Sequence, residues 1–302
     1  MSESPPTTPV CYRHPSRETY VRCTRCERPI CPDCMRDASV GHQCPECVEL
    51  GRRSQRPART AFGGGAAGRH GYVTKTIIGL NVLMFLASVV SSGAGTAVAG
   101  GGLGGLMGQG TPLTQWGSVL GLARYQDFTV HGVAQGEWYR LLTAMFLHYG
   151  VVHLLLNMWA LWVLGRTLEA ALGPARFLGL YLVAGLGGNV AAYLFSAPNQ
   201  QSAGASTAIF GLFGALFVIM RRLGRDTSGV VPVLVVNLIF TFTVPNISIA
   251  GHLGGLVAGT LMALVLAYAP RTRRTAVQAA GGVALVLLLV CVSIARTAML
   301  LG

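Results

Sequence analysis

Seven apolar runs divide the chain, at about Thr76 to Val90, Leu147 to Leu164, Phe177 to Phe195, Ala203 to Met220, Val230 to Val244, Ala250 to Ala269 and Val277 to Leu300. Runs of this length predict membrane-spanning helices. The basic residues between them alternate. Arg166 and Arg176, then Arg221, Arg222 and Arg225, then Arg271, Arg273 and Arg274 occupy every second connection, whereas the short loops after Phe195 and Val244 carry no Lys or Arg. Cytoplasmic loops are the ones enriched in Lys and Arg, so the pattern predicts an N-terminus in the cytoplasm and a C-terminus on the exterior. The stretch from Ser91 to Phe146 is too long for a simple connector. With Trp116, Tyr125, Trp138, Tyr139 and Arg140 it reads as an exterior loop lying partly in the outer leaflet.

Composition agrees with an all-α polytopic membrane protein: of 302 residues, 52% are hydrophobic and only 11% charged. The net charge of +12 could suggest nucleic acid. The arginines, however, sit at the ends of apolar segments, which makes membrane topology the better explanation, and no nucleic-acid partner is expected. The expected layout is a cytoplasmic domain over 1–50, a basic Gly-rich linker over 51–75, a membrane core over 76–269 and an extra C-terminal span over 270–302.

Seven of the eight cysteines fall in the first fifty residues. They form four knuckles with a two-residue gap: Cys11 with His14, Cys23 with Cys26, Cys31 with Cys34, and Cys44 with Cys47. Such a gap lets both side chains converge on one ion, so four knuckles suffice for two tetrahedral zinc sites. The interleaving favours a cross-brace, with Cys11, His14, Cys31 and Cys34 on one ion and Cys23, Cys26, Cys44 and Cys47 on the other. His42 is an alternative to Cys44 or Cys47, or a solvated loop residue. Fewer than forty residues have too little core to fold alone, so the zinc is expected to be structural. The layout resembles a B-box-type zinc finger, with Cys44 and Cys47 where such fingers usually close with histidines. A cytoplasmic protein partner, or regulation of the core, are the open roles for this domain.

Within the membrane segments, Ser206 opens the fourth run and His252 the sixth, while His148, His153 and Asn157 open the second. These three runs share one direction, so their starts lie at the same outer depth, with Ser206 and His252 each expected a turn or so below the helix start. A serine needs a base within hydrogen-bond reach, and His252 is the only histidine after Ser206. No Asp or Glu lies near enough to complete a triad, which leaves a Ser-His dyad. His153 and Asn157, four apart on one helix face, together with the Ser206 N–H could stabilise an oxyanion. Asn157 could instead pack the bundle, and His148, off that face, could hold the loop. Gly204, Gly211 and Gly214 could meet Gly251, Gly255 and Gly259 and bring the two helices close.

In these residues, Glu137-Trp138-Tyr139-Arg140, His148 with His153-x-x-x-Asn157, Gly204-Ala205-Ser206 and Gly251-His252-Leu253-Gly254-Gly255, the sequence resembles the rhomboid family of intramembrane serine proteases over Tyr72 to Leu266. The resemblance implies a six-helix core carrying a seventh appended helix. It also implies that transmembrane segments of single-span membrane proteins are cut near the outer face of the bilayer, with Ser206 as nucleophile, His252 as base, His153 and Asn157 at the oxyanion, and no cofactor for the chemistry. Thr207 stands where the family motif ends in glycine. Two other classes fit parts of the pattern: a catalytically inactive rhomboid-like protein that binds membrane helices, and a transporter using the same polar residues as a pathway.

Overall fold

The computed structural model describes residues 8–55, 59–65, 71–92 and 110–302. Arg56 and Arg69 of the linker, and positions 93–109 of the long loop, lie outside the described residues. The chain divides into two compact units, Met1–Pro57 and Ala58–Gly302.

The first unit is built from short pieces. A hairpin of β1 (Val10–Cys11) and β2 (His14–Glu18) is followed by a second of β3 (Arg36–Asp37) and β4 (His42–Gln43), then α1 (Pro45–Ser54). Cys44 caps α1, its Sγ accepting the Cys47 N–H at 3.3 Å. The buried interior consists of six cysteines and Ile30. So small an apolar core needs a further source of stability.

The second unit is helical: α2 (Tyr72–Ser92), the short α3 (Pro112–Gly117) and α4 (Arg140–Thr143), then α5 (Val151–Leu172), α6 (Pro174–Phe195), α7 (Ser206–Arg222), α8 (Val230–Thr243), α9 (Ile249–Tyr268) and α10 (Arg274–Leu301). A small hairpin, β5 (Ala123–Arg124) with β6 (Val130–His131), interrupts the loop before α4. Among the described residues five helices are long and apolar enough to cross a membrane. The fourth and fifth apolar runs form shorter helices, α7 of 17 residues and α8 of 14.

Small residues let the central helices touch through backbone. A methyl group added at Gly255 of α9 would lie 1.9 Å from the Thr207 carbonyl oxygen of α7, and one at Gly259 would lie 2.4 Å from the Gly211 Cα. On its other side α9 meets α6, where Gly187 and Gly188 abut Ala258 and the Gly251 carbonyl. Gly204 does not join this seam; it packs against the His153 ring. Side chains of this size give van der Waals contact over long stretches without a hydrophobic driving force, which lipid cannot supply.

The ends of the bundle are tied by polar groups. At one end the buried Glu169 carboxylate accepts the N–H groups of Val73 and Thr74 (3.1 and 2.9 Å) and the Thr74 hydroxyl (2.7 Å). A negative charge satisfying the free donors of a helix N-terminus explains why α2 begins several residues before Thr76. At the same end Arg222 donates to the Ala267 carbonyl, and the buried Gln278 accepts from Arg176 Nε at 2.7 Å while donating to Leu266. Part of the expected linker is packed here. Phe62 is buried in the bundle core, and Arg274 donates to the Ala61 carbonyl. At the opposite end the Tyr193 and Thr297 hydroxyls meet at 2.8 Å, so α10 is fastened to α6 near both its termini.

The long loop is a folded element in its described part. Arg140 is buried, and its guanidinium is met by protein partners: Nε donates to Glu137 at 2.6 Å, and Nη1 donates to the carbonyls of Gln115 and Ser118. Glu137 also accepts from the Gly132 N–H at 2.7 Å and contacts His131 Nδ1 at 2.8 Å. Burial raises the Glu137 carboxyl, but these partners outweigh it and hold the group below its ordinary range. Trp116 stacks on Tyr139 and remains half exposed, as does Leu142.

Candidate functional site

Gly204 sets the geometry of the site. Its φ of +145° is a backbone conformation that residues with a Cβ rarely adopt, and it stops the chain from entering the helix early. Ser206 is therefore the first residue of α7 rather than lying a turn inside it as expected. Gly204 is itself anchored, since its N–H donates to the Ala144 carbonyl at 2.9 Å, and the next N–H, of Ala205, points at His148 Nε2 at 3.5 Å. His148 thus holds the loop that presents Ser206.

α9 starts at Ile249 with Ser248 as its cap, the Ser248 hydroxyl accepting the Gly251 N–H. His252 consequently lies one turn into the helix. Its Nε2 is 2.8 Å from Ser206 Oγ, its Nδ1 is 2.8 Å from Thr241 Oγ1 of α8, and its ring stacks on Phe210 at 4.1 Å between centroids. Neither Thr241 nor Phe210 is anticipated by the sequence reading. Phe210 carries a signal in principle, being four residues from Ser206 and so on the same helix face. Thr241 has none, because nothing local links the rotation of α8 to that of α9.

Ser206, His252, His153 and Asn157 line one cavity of about 140 Å³. Among the described residues Asn157 bonds no other helix: its Nδ2 donates at 2.7 Å to the His153 carbonyl one turn back. A methyl group at Gly204 would lie 2.9 Å from His153 Nε2 and 3.2 Å from Ser206 Oγ. The bare glycine thus leaves a space the size of one atom beside both the Ser206 hydroxyl and the His153 imidazole. Thr207 is buried, and its bulk is housed against Gly188 and Gly251, whose would-be methyl positions lie 2.6 and 3.2 Å from Thr207 side-chain atoms.

In the first unit the structure brings together Cys11, His14, Cys31 and Cys34, and separately Cys23, Cys26, Cys44 and Cys47, with the ligand atoms of each set within 4.8 Å of one another. His42 belongs to neither set; its Nδ1 lies 3.4 Å from an Asp37 carboxylate oxygen. Tetrahedral bonds of about 2.3 Å place sulfurs about 3.8 Å apart, and Cys26 and Cys44 are separated by 3.8 Å. The donors fit a tetrahedral ion. Burial raises the Cys11 and Cys23 thiols, yet backbone N–H groups around them outweigh it and hold both at about 6. Burial beside the other thiols pushes Cys34 up to about 11 and Cys47 to about 12, the penalty that a bound cation would relieve. Two Cys/His clusters able to bind metal ions are therefore present.

Comparison with known proteins places this site in a family context. Residues 135–269 match the Rhomboid domain. The Rhomboid protease GluP of Bacillus subtilis is 45% identical over 139 residues, covering 44% of this chain and 27% of that protein. The Putative rhomboid protease YdcA of the same organism is 39% identical over 139 residues, 44% of this chain and 70% of that protein. RHOMBOID-like protein 5 of Arabidopsis thaliana is 33% identical over 147 residues, 46% of this chain and 47% of that protein. The chain thus spans about a quarter of the first relative and more than two thirds of the second.

Proposed function

The chain belongs to the rhomboid family, and from that premise we propose that it is an intramembrane serine endopeptidase, cutting transmembrane segments of single-span proteins through a Ser206-His252 dyad. The observation that carries the reading is the 2.8 Å separation of Ser206 Oγ and His252 Nε2 in a cavity that His153 and Asn157 also line. Ser206 Oγ attacks the scissile carbonyl carbon while its proton passes to Nε2. The carbonyl oxygen becomes an oxyanion, met by the Ser206 N–H, which has no partner among the described residues at the first position of its helix, and by His153 and Asn157. On collapse the C–N bond breaks, Nε2 gives its proton to the leaving amine, and the acyl group stays on Ser206. Water, deprotonated by the same nitrogen, then releases the acid and restores the serine. The atom-sized space beside Gly204 is where the oxyanion would sit.

A substrate helix must unwind locally, because helical carbonyls are already bonded. Small residues near the cut are therefore expected. The end carrying Arg222, Arg274 and Arg176 is assigned to the cytoplasm, which puts the dyad at the outer depth and the C-terminus outside. The two clusters of the first unit are assigned structural zinc, on the strength of their thiol-rich donor sets and tetrahedral spacing. A partner for that unit in the cytoplasm completes the proposal.

The test is cleavage of a generic single-span substrate by purified, detergent-solubilised protein, with fluorophosphonate labelling alongside. Wild type is expected to cut and label, and Ser206→Ala and His252→Ala to do neither. Wild type that does neither would refute a protease and leave a helix-binding relative.

A further inference from the structure

Of the fourteen residues of α8 only Thr241 is buried, while the apolar Val231, Val233, Val235, Val236, Ile239 and Phe242 are exposed. A largely exposed apolar helix thus spends its single buried position on a hydroxyl. That hydroxyl lies 2.8 Å from His252 Nδ1 and 2.8 Å from the Asn237 carbonyl of its own helix.

A hydroxyl has one proton to give. The Asn237 carbonyl can only accept, so the Thr241 proton goes there, in the back-bond to a carbonyl one turn earlier that threonine makes in apolar helices. With the proton placed there the oxygen is left as an acceptor, an arrangement that calls for Nδ1 as the donor. If Nδ1 carries the hydrogen of a neutral imidazole, Nε2 carries the lone pair, and Nε2 is the atom facing Ser206 Oγ. Donation then runs in one sense from Ser206 to His252 to Thr241 to the Asn237 carbonyl. Among the described residues no carboxylate reaches Nδ1. We propose that Thr241 is the positioning residue of the base: it selects the tautomer of His252 that can accept the serine proton, and it makes the dyad dependent on α8.

This inference rests on the protease reading for its consequence, although its structural content can be measured without it. Thr241→Val keeps shape and removes the acceptor; Thr241→Ser keeps the hydroxyl. Thr243→Val is the control, since Thr243 makes the same kind of back-bond, to Ile239, on the exposed side of α8. In cleavage assays Thr241→Val should lower kcat by about ten- to a hundredfold, the effect of losing tautomer control without losing an ion, with KM within about twofold. Thr241→Ser should recover most of kcat, and Thr243→Val should match wild type. In parallel, ¹⁵N-histidine spectra of full-length protein in lipid nanodiscs at about pH 8, where an ordinary imidazole is neutral, with the His252 signal identified by difference against His252→Ala, should show the Nδ1–H form in wild type and a mixture in Thr241→Val. Wild type that neither cuts nor labels would overturn the protease reading while the spectra still judge Thr241. An Nε2–H ring in wild type, or Thr241→Val with wild-type kcat, would overturn the inference. Should Thr241→Val not fold, the wild-type tautomer and the Thr241→Ser kinetics decide.

Discussion

Gly255→Ala tests whether the proposed Ser206-His252 dyad depends on backbone contact between its two helices. The new methyl group would stand 1.9 Å from the Thr207 carbonyl oxygen and 2.8 Å from its carbon. Carbon-to-oxygen contacts settle at about 3.3 Å or more, so the backbones must part by about 1.4 Å. Neither obstructing atom is the end of a flexible side chain. The displacement falls at the site itself, because Thr207 follows Ser206 and Gly255 is one turn below His252. Adding 1.4 Å to the present 2.8 Å takes Ser206 Oγ and His252 Nε2 to about 4.2 Å, outside hydrogen-bond range. Loss of a positioned base is worth about 10²- to 10⁴-fold in rate, while overpacking costs about 1–3 kcal/mol of stability. Fluorophosphonate labelling rate and thermal midpoint would be measured on the same preparation. Gly179→Ala on α6 is the control, since nothing lies within 4 Å of its methyl position. Labelling by Gly255→Ala at the wild-type rate, with the midpoint unchanged, would show that the close approach of α7 and α9 does not set the dyad.

Two further outcomes follow from groups outside the membrane segments. Metal analysis of purified full-length protein is expected to find two ions per chain and one in Cys31→Ser, because Cys31 belongs to only one of the two clusters; two ions in the variant would break the cross-brace assignment. For Glu137, the folded value lies below the unfolded one, so its contribution is complete above the ordinary carboxylate value near 4.3 and disappears as pH falls through the lowered native value. The thermal-midpoint gap between wild type and Glu137→Gln should therefore be constant above about pH 5 and shrink below it. A gap that widens on acidification would mean that the ion pairs do not hold this carboxylate down.

Much of the architecture was written locally. Each apolar run falls on a helix among the described residues, with the ends shifted where a tertiary partner intervenes: α2 starts at Tyr72 instead of Thr76 because Glu169, remote in sequence, caps it. The knuckle spacing carried the two donor sets, since a two-residue gap and its interleaving constrain where thiols can converge. The burial of Arg140 is not legible in composition, which cannot see the two carbonyls that its guanidinium meets. Likewise Phe62 sits in a stretch without apolar periodicity, and only its packing against the bundle reveals it as core.

At the site, the sequence by itself determined the residue types, the shared depth of Ser206, His252, His153 and Asn157, and the small residues that let helices approach. These follow from helix length, the direction of each span and the absence of a Cβ, all of which are properties of single segments. Tertiary structure alone decided that Ser206 stands at the first helical position behind the Gly204 turn, that Phe210 lies flat on His252, and that Thr241 reaches Nδ1. Each depends on how far one helix is rotated and slid against another, and that is fixed by the packing of the whole bundle rather than by any stretch of the chain.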